Sequence, residues 1–303
     1  MVRKSFLLLS LLFISKISSQ VNGEVFVLDE DRDVFYMHYT PSIQKDDQFS
    51  YQKANIRLGL PPIKVSNITL YNTVGLDYHN FKYDTSPPEL TKKIEQFYNI
   101  NYSLLIQYKI SENWSINALA MPHVLSNLDG NIKADDFKFN GILFLQKKFN
   151  QKKANKYYKL TVGVGYLSLA GKTTINPTIN LMGKVNDKLS FAIGIPNTYV
   201  KYNLNNRHSL KLLGDLNDFS AHINTPIYLN NDNIEASNAV FTSISAGLEY
   251  NYWLTNNFGL MIRGLHSVYE NYELQDANEN TIYDFNSKSK PYVTFGIKFN
   301  PFR

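Results

Sequence analysis

The chain has 303 residues, of which 44% are hydrophobic and 19% are charged, and it contains no cysteine. The lack of cysteine excludes a disulfide-stapled scaffold, and no apolar run beyond the N-terminus approaches the roughly 18–20 residues of a membrane-spanning helix. The formal net charge of +5 includes Arg3, Lys4 and Lys16, so the remaining chain is close to neutral and does not indicate nucleic-acid binding.

The N-terminus has the pattern of a secretory signal. Arg3 and Lys4 precede an apolar run at residues 6–14, and a small polar end follows. We expect cleavage after Ser19. This assigns residues 1–19 to a signal peptide, residues 20–33 to a periplasmic lead-in and residues 34–303 to one further domain. The mature protein is therefore expected to be exported.

Segments with the pattern of β-strands follow one another through that domain. Most exceed the roughly 5–6 residues usual in soluble sheets and fit the roughly 9–11 residues of a tilted membrane strand. The predicted strands are residues 34–41, 49–60, 67–83, 96–110, 114–127, 137–149, 157–170, 173–184, 188–195, 199–204, 208–228, 239–254, 258–274 and 290–302.

Apolar and polar residues alternate most regularly at residues 98–110. Tyr98, Tyr102 and Tyr108 share one face with isoleucines and a leucine, while the other face is mainly polar. Tyrosines at both ends of an apolar stripe match the aromatic girdles of a membrane barrel. A soluble β-sandwich also alternates, but it rarely needs strands this long. The pattern predicts an all-β, up-and-down transmembrane β-barrel.

The connections between the strands differ in length and predict the orientation. Longer loops are expected at residues 42–48, 84–95, 128–136, 229–238 and 275–289, and shorter turns between the other strands. Bacterial barrels place short turns in the periplasm and long loops outside. We therefore expect the long loops to be extracellular.

The strand number depends on residues 188–204, which lie between two short turns. Read as one strand, this segment breaks the alternation of turns and leaves an odd total. Pro196 cannot donate to a ladder, so we predict a break there into two short strands. The total is then 14 strands, an even number as usual for such barrels. A barrel of 12 strands, with this region at the rim, is the alternative.

The last segment alternates as well. Val293, Phe295, Ile297 and Phe299 share one face, and an aromatic residue lies close to the end. In a barrel of the predicted count this segment is the closing strand, and it should pair antiparallel with residues 34–41.

Three stretches resemble a family of uncharacterised Gram-negative outer-membrane barrels known as a domain of unknown function. They are residues 190–210, the run Ala246-Gly247-Leu248-Glu249-Tyr250-Asn251-Tyr252, and the run Thr294-Phe295-Gly296-Ile297-Lys298-Phe299. The resemblance covers nearly all of the mature chain. It implies a barrel fold and an outer-membrane location, but it implies no activity.

Catalytic patterns are weak. Asp77 and His79 share the inward face of one strand and could act as an acid and base pair, but no serine elbow or metal-ligand spacing accompanies them. We interpret them as polar residues of a wet lumen. We expect no enzymatic activity, cofactor or metal.

Charged residues on inward faces define the candidate lumen lining. The phases assign this position to Asp77, His79, Lys109, Lys159, Lys211, Asp215, Glu249, Arg263 and Lys298. These groups could line a solute path or pair with one another and fill a narrow barrel. The main functional hypothesis is a porin-like channel or transporter for small solutes. The alternatives are a structural or assembly subunit of an outer-membrane complex and, less favoured, a membrane-embedded hydrolase. The expected partners are outer-membrane lipids and, under the complex hypothesis, proteins of such a complex, with no nucleic acid.

Overall fold

A computed structural model describes residues 32–43, 49–83, 92–150, 156–169, 171–229 and 234–303. The predicted signal peptide and most of the predicted lead-in lie outside the described residues. Within the described residues there are two short 3-10 helices, Lys92–Ile94 and Ala134–Asp136. No helix in this part of the chain is long and apolar enough to cross a membrane.

The described chain forms one sheet of sixteen strands. Their bounds are β1 Phe35–Thr40, β2 Phe49–Gly59, β3 Ile63–Val65, β4 Ile68–Tyr83, β5 Gln96–Lys109, β6 Trp114–Ser126, β7 Phe137–Asn150, β8 Tyr157–Leu169, β9 Lys172–Lys184, β10 Leu189–Gly194, β11 Thr198–Asn203, β12 His208–Leu229, β13 Ile234–Trp253, β14 Phe258–Gln275, β15 Thr281–Asp284 and β16 Pro291–Phe299.

Fourteen of these strands close into an antiparallel ring, and β3 and β15 are short extensions paired with β4 and β14. The ring closes where β16 pairs with β14 on one side and with β1 on the other. Phe35 lies opposite Phe299 and Tyr39 lies opposite Phe295 in the closing pair. The predicted 14-strand barrel is confirmed, and so is the predicted partner of the last strand.

The predicted break at Pro196 is also confirmed. β10 and β11 are separate strands of six residues each, paired antiparallel from Leu189↔Tyr202 to Ala192↔Tyr199. Pro196 lies in the turn between them, where the missing N–H removes no ladder bond. The alternative of 12 strands is therefore wrong.

Alternation along each strand separates an apolar outer surface from a mostly polar interior. On β5, Ile100, Tyr102, Ile106 and Tyr108 are exposed on the outside, while Ser103 on the other face is buried. The hydrocarbon of a bilayer accepts such an apolar surface, and ring closure leaves no unpaired edge strand. The fold is that of a transmembrane β-barrel.

Turn lengths separate the two ends of the barrel. The end holding the turns at residues 110–113, 204–207 and 254–257 is the short-turn end, which faces the periplasm in bacterial barrels. Two predicted connections contain additional strands, β3 within residues 61–66 and β15 within residues 275–289. The opposite end, called extracellular below, also holds two short connections, after β8 and after β10.

The line where β1 meets β16 is called the seam below. A substitution at Gly296 of β16 tests the packing of side chains along it. Gly296 lies opposite His38, and a Cβ atom at this position would overlap the His38 ring. We expect Gly296→Val to lower the stability of the folded barrel by about 1–3 kcal/mol, as overpacking does. The measurement is the temperature at which the protein in detergent loses its compact electrophoretic form.

Gly264→Val is the matched control, because no atom lies within 4 Å of a Cβ added there. Equal destabilisation by the two substitutions would contradict a specific role for the contact between Gly296 and His38.

Candidate functional site

A polar cavity of about 350 Å³ lies inside the ring. It is lined by inward side chains of strands on both sides of the seam and carries many charges. Among the described residues its cationic lining is Lys53, Arg57, Lys201, Lys211, Arg263 and Lys298, and its anionic lining is Asp33, Asp77, Asp215, Asp218 and Glu249. The two signs are nearly balanced, so the cavity favours polar contents without a strong overall charge preference.

Asp77 is held in a polar network on one wall of the cavity. Its Oδ2 accepts hydrogen bonds from Arg57 Nη2 at 2.9 Å and from Asn99 Nδ2 at 3.0 Å. The side chains of Arg57 and Asp77 are both buried. Removing one member of a buried ion pair leaves an unpaired charge at a cost of roughly 3–5 kcal/mol, so Asp77 anchors this wall.

His79 belongs to a different set of contacts. Its Nδ1 shares a hydrogen bond of 2.8 Å with the Tyr51 hydroxyl, which also accepts one from Asn217 Nδ2 at 3.0 Å. Asn217 Oδ1 in turn accepts from Lys53 Nζ at 2.7 Å. The hydrogen bonds of Asp77 and His79 thus go to different partners, although the two residues are neighbours on one face of β4.

Glu249 is the centre of a second charged group. Its Oε2 accepts hydrogen bonds from Arg263 Nε at 2.9 Å and from Arg263 Nη2 at 2.6 Å. Lys298 Nζ lies 3.9 Å from Glu249 Oε1 and 3.5 Å from Asp33 Oδ2. These contacts join β13, β14 and β16 with the segment before β1, so they reinforce the barrel seam from the inside.

The residues predicted to line the lumen are divided by the structure. Asp77, His79, Glu249, Arg263 and Lys298 line the cavity together. Lys159 is buried on β8 with its Nζ 5.6 Å from the Tyr157 ring centroid. Lys109 is exposed at the periplasmic end of β5 and does not line the cavity.

An aromatic layer fills the lumen on the extracellular side of the cavity. Phe81 stacks on Tyr272 with ring centroids 4.3 Å apart, and Phe97 of β5 lies 5.7 Å from Phe219 of β12. β5 and β12 are half the ring apart in strand order, but β12 crosses the lumen and pairs with β6 at His222↔Ser126, which brings Phe219 close to Phe97. The buried members of the layer are Phe49, Tyr51, Phe81, Phe97, Phe219, Phe241, Tyr272, Phe285 and Tyr292.

A buried ion pair ties the last extracellular loop to this layer. Lys290 Nζ lies 2.8 Å from Glu270 Oε1 and 4.4 Å from the Phe49 ring centroid. The Tyr292 hydroxyl donates to Glu270 Oε2 at 2.5 Å. The loop before β16 therefore ends in a charge pair within an apolar environment, where both members are costly to separate.

Residues 222–225 of β12, called the strap, cross to the loop between β6 and β7. Asn224 Nδ2 donates to Asn131 O at 2.8 Å and to Asp136 Oδ2 at 3.1 Å, and Lys133 Nζ donates to Asn224 O at 2.6 Å. His222 Nδ1 lies 2.7 Å from Asp136 Oδ1. The aromatic layer and the strap together are called the closure below, and the strap is its outer part.

Asp136 is a charged anchor of the strap. Burial raises the pKa of its carboxyl, but hydrogen bonds from the Lys133 N–H and from the His222 and Ser126 side chains outweigh that cost and hold the pKa below its ordinary value. A lowered pKa stabilises the fold above the unfolded value of about 3.9, and this contribution is lost as the pH falls through the lowered pKa. The anchor is therefore fully charged at neutral pH.

Sequence reasoning missed the aromatic layer and the strap. The available signal was a set of aromatic residues on inward faces at extracellular strand ends, such as Phe49, Phe81 and Phe97. It also missed the cationic lining residues Lys53, Arg57 and Lys201, whereas Lys211 and Asp215 line the cavity as predicted. Their inward positions follow from the same alternation that placed Glu249 and Arg263.

The chain was compared with known protein families. The model for a domain of unknown function (DUF6268) matches residues 54–300, which is most of the chain. The chain belongs to the DUF6268 family. The resemblance inferred from the sequence is thus confirmed at the level of a domain of unknown function. A search of curated proteins found no match.

The solved structures to which this chain is similar include the following three barrels. A NanC porin has 9% identity and a TM-score of 0.36, and covers 88% of this chain and 98% of its own. A KdgM porin in complex with disordered oligogalacturonate has 8% identity, a TM-score of 0.34 and coverage of 87% and 98%. LpxR from Salmonella typhimurium has 6% identity, a TM-score of 0.36 and coverage of 88% and 99%. At these scores the similarity does not bear on function.

The strap gives a test of the closure. Asn224→Ala removes two side-chain hydrogen bonds from the middle of the strap, each worth roughly 1–3 kcal/mol when its buried partner stays unsatisfied. We expect faster amide hydrogen exchange at residues 222–228 in the folded protein, measured by mass spectrometry.

Asn176→Ala is the control, because among the described residues the Asn176 amide bonds to Thr174 alone, on its own strand. Unchanged exchange at residues 222–228 in Asn224→Ala would show that these bonds do not hold the strap.

Proposed function

We propose that this protein is an outer-membrane channel or transporter for small polar or amphipathic solutes, and that its extracellular side is closed in the conformation described. The observation that carries the proposal is a charged cavity that continues under the aromatic layer. A barrel with a purely structural interior would be expected to fill this volume with paired side chains.

The charges of the cavity support a solute site. Burying ionic groups costs free energy even when they are paired. Lys53 and Arg57 with Asp77, and Arg263 and Lys298 with Glu249, nevertheless keep ionic groups facing one open volume. A polar solute entering the cavity meets both signs of charge and hydrogen-bonding amides such as Asn99 and Asn217.

The closure favours gated passage over the permanent pore of a general porin. Its members meet inside the ring through side chains, through hydrogen bonds of the strap and through one backbone pair between β12 and β6, His222↔Ser126. None of these contacts belongs to the ladders between neighbouring wall strands. The closure can therefore open without breaking the ring. The proposal includes no catalytic step, since Asp77 and His79 hydrogen-bond to separate groups.

The same closure favours a second candidate, a structural or assembly subunit of an outer-membrane complex. A barrel that never opens would serve as a membrane platform that presents its extracellular loops. The two candidates differ in the conductance that each predicts: a channel conducts, whereas a structural subunit does not.

Truncation of the aromatic layer tests the channel. Phe81 and Tyr272 stack at its centre, and each truncation to alanine removes about 3–5 kcal/mol of packing. Some of that loss falls on the closed state alone, so we expect the double variant Phe81→Ala/Tyr272→Ala to raise the open fraction at least about tenfold over the natural protein. The measurement is single-channel conductance of the full chain in planar bilayers.

Phe139→Ala is the matched control, because Phe139 is an exposed aromatic on the outside of β7. We expect its conductance to equal that of the natural protein. If neither the natural barrel nor the double variant conducts or passes solutes into liposomes while both remain folded, the channel is refuted and the subunit role is favoured.

A further inference from the structure

The periplasmic ends of the ring strands carry charge of a single sign. Among the described residues, the last four positions of each ring strand at that end contain no aspartate or glutamate. The acids of the lumen lie deeper, and Glu249, at the fifth position of β13, comes nearest. The same end positions contain cations, of which six lysines face the lumen between β5 and β12: Lys109, Lys148, Lys159, Lys184, Lys201 and Lys211.

The alternation on β7 shows which of its lysines face the lumen. Leu145 and Phe149 are exposed on the outside, so Lys148 points into the lumen. Lys147 lies on the outside, with its Nζ 4.7 Å from the centroid of the exposed Trp114 ring. One strand therefore carries an inward and an outward lysine at nearly the same height. The same alternation places Lys109, Lys159 and Lys184 on the lumen face.

Four of these lysines lie on the periplasmic side of the polar cavity and do not line it. We call them the lysine vestibule: Lys109, Lys148, Lys159 and Lys184. Lys148 and Lys159 are directly opposite in the ladder between β7 and β8, and their Nζ atoms lie 4.8 Å and 5.6 Å from the centroid of the Tyr157 ring. Like charges directly opposite in a sheet repel. An anion beside the two ammonium groups offsets this repulsion with charge-assisted hydrogen bonds.

A row of cross-strand partners joins the lysine vestibule to the polar cavity. Lys184 of β9 lies opposite Ser190 of β10, which lies opposite Lys201 of β11. Lys201 lies opposite Lys211 of β12, and these two lysines line the cavity. Neighbouring strands are about 4.7–4.9 Å apart, so consecutive lysines of the row lie within about 10 Å of each other. An anion that leaves one lysine is therefore already close to the next.

The number of positive charges matters here, because several of these lysines make contacts of their own. Such contacts are made by Lys159, Lys184, Lys201 and Lys211, and Lys211 Nζ lies 4.4 Å from the Tyr199 ring centroid. An aromatic contact leaves the charge of a lysine unchanged. Asp33 is already 3.5 Å from Lys298 Nζ. Residues 20–31, which lie outside the described residues, contain the acids Glu24, Asp29, Glu30 and Asp31, and the six lysines outnumber them.

We infer that the lysine vestibule binds small solutes with two or more negative charges, such as di- and tricarboxylates, and selects anions at the periplasmic end of the barrel. Rings of lysine or arginine side chains favour anions in pores. The field of an exposed charge extends over a Debye length, about 8 Å at 0.15 M salt, which is comparable with the spacing of the lysines. The anion site itself does not require conduction. Its use in selecting solutes rests on the proposed function and specifies the solute class.

Calorimetric titration of the full chain in a non-ionic detergent tests the site. The probe is citrate at low ionic strength, about 0.01 M, and the control probe is spermidine, a cation of similar charge number. We expect citrate to bind and spermidine not to bind measurably. Lys148→Gln/Lys159→Gln should weaken citrate binding about tenfold or more, since two charge-assisted contacts are lost.

Three further variants isolate the cause. Lys148→Arg/Lys159→Arg should retain binding, which also shows that changes at these positions permit folding. Lys64→Gln/Lys147→Gln removes the same charge from the outside of the wall at the same end and should leave binding unchanged. Asp29→Asn/Glu30→Gln/Asp31→Asn removes the acids that precede Arg32 and should not weaken binding.

The reversal potential in a gradient of potassium chloride tests the selection of anions. It is measured in planar bilayers in the Phe81→Ala/Tyr272→Ala background, which is expected to conduct more often. We expect chloride to permeate in preference to potassium. Adding Lys148→Gln/Lys159→Gln should shift the reversal potential towards zero, whereas adding Lys64→Gln/Lys147→Gln should not.

Absence of citrate binding in the folded natural protein, or equal binding by Lys148→Gln/Lys159→Gln, would overturn the site. Binding that appears only in Asp29→Asn/Glu30→Gln/Asp31→Asn would assign the lysines to acids of the chain itself and would also overturn a solute site. A barrel that conducts without preferring anions overturns the selection of solutes. One that binds citrate and never conducts refutes the channel alone and supports the anion site.

Discussion

Backbone N–H and C=O groups find no water in the hydrocarbon core of a bilayer, so a chain that crosses it as strands must pair every edge. In this protein the pairing of β1 with β16 meets that requirement. With the ring closed, the backbone groups of the wall are paired with one another, and alternate residues are free to differ in character. The lipid-facing set is apolar, and the inward set carries charged groups in one part and aromatic rings in another.

The two parts of the interior have different physical roles. Charged groups such as Arg57 with Asp77 and Arg263 with Glu249 stiffen the wall while leaving space between them. The aromatic side chains remove such space, because β12 crosses the lumen towards β6 and brings its rings against those of the neighbouring strands. Tyr51 connects the two parts, since its ring stacks 4.6 Å from Phe241 while its hydroxyl bonds with His79. A movement of the charged part would therefore displace the aromatic part through Tyr51, and the reverse.

Period-two alternation predicted the strands, their number and the inward position of most of the charged set. Pro196 identified the short hairpin because a missing donor excludes it from a ladder interior. Lys109 shows the limit of the method, since alternation fixes the side of a strand but not whether its end extends beyond the lumen. The aromatic layer depends on the crossing of β12 to β6 at His222↔Ser126, and the strap depends on the irregularity between His222 and Ile227. Neither distance across the barrel nor strand bending is encoded in a local period.

The closing pair also differs from all other wall pairings in its separation along the chain. Every other described pairing of the ring joins strands that follow one another or that are separated only by the short strands β3 and β15, whereas Phe35 and Phe299 are brought together from opposite ends of the domain. Loop-closure entropy grows with the length of chain enclosed, so this ladder carries the largest ordering cost. Hairpins can form from local contacts, and the β1–β16 pairing is the long-range contact that commits the chain to a cylinder.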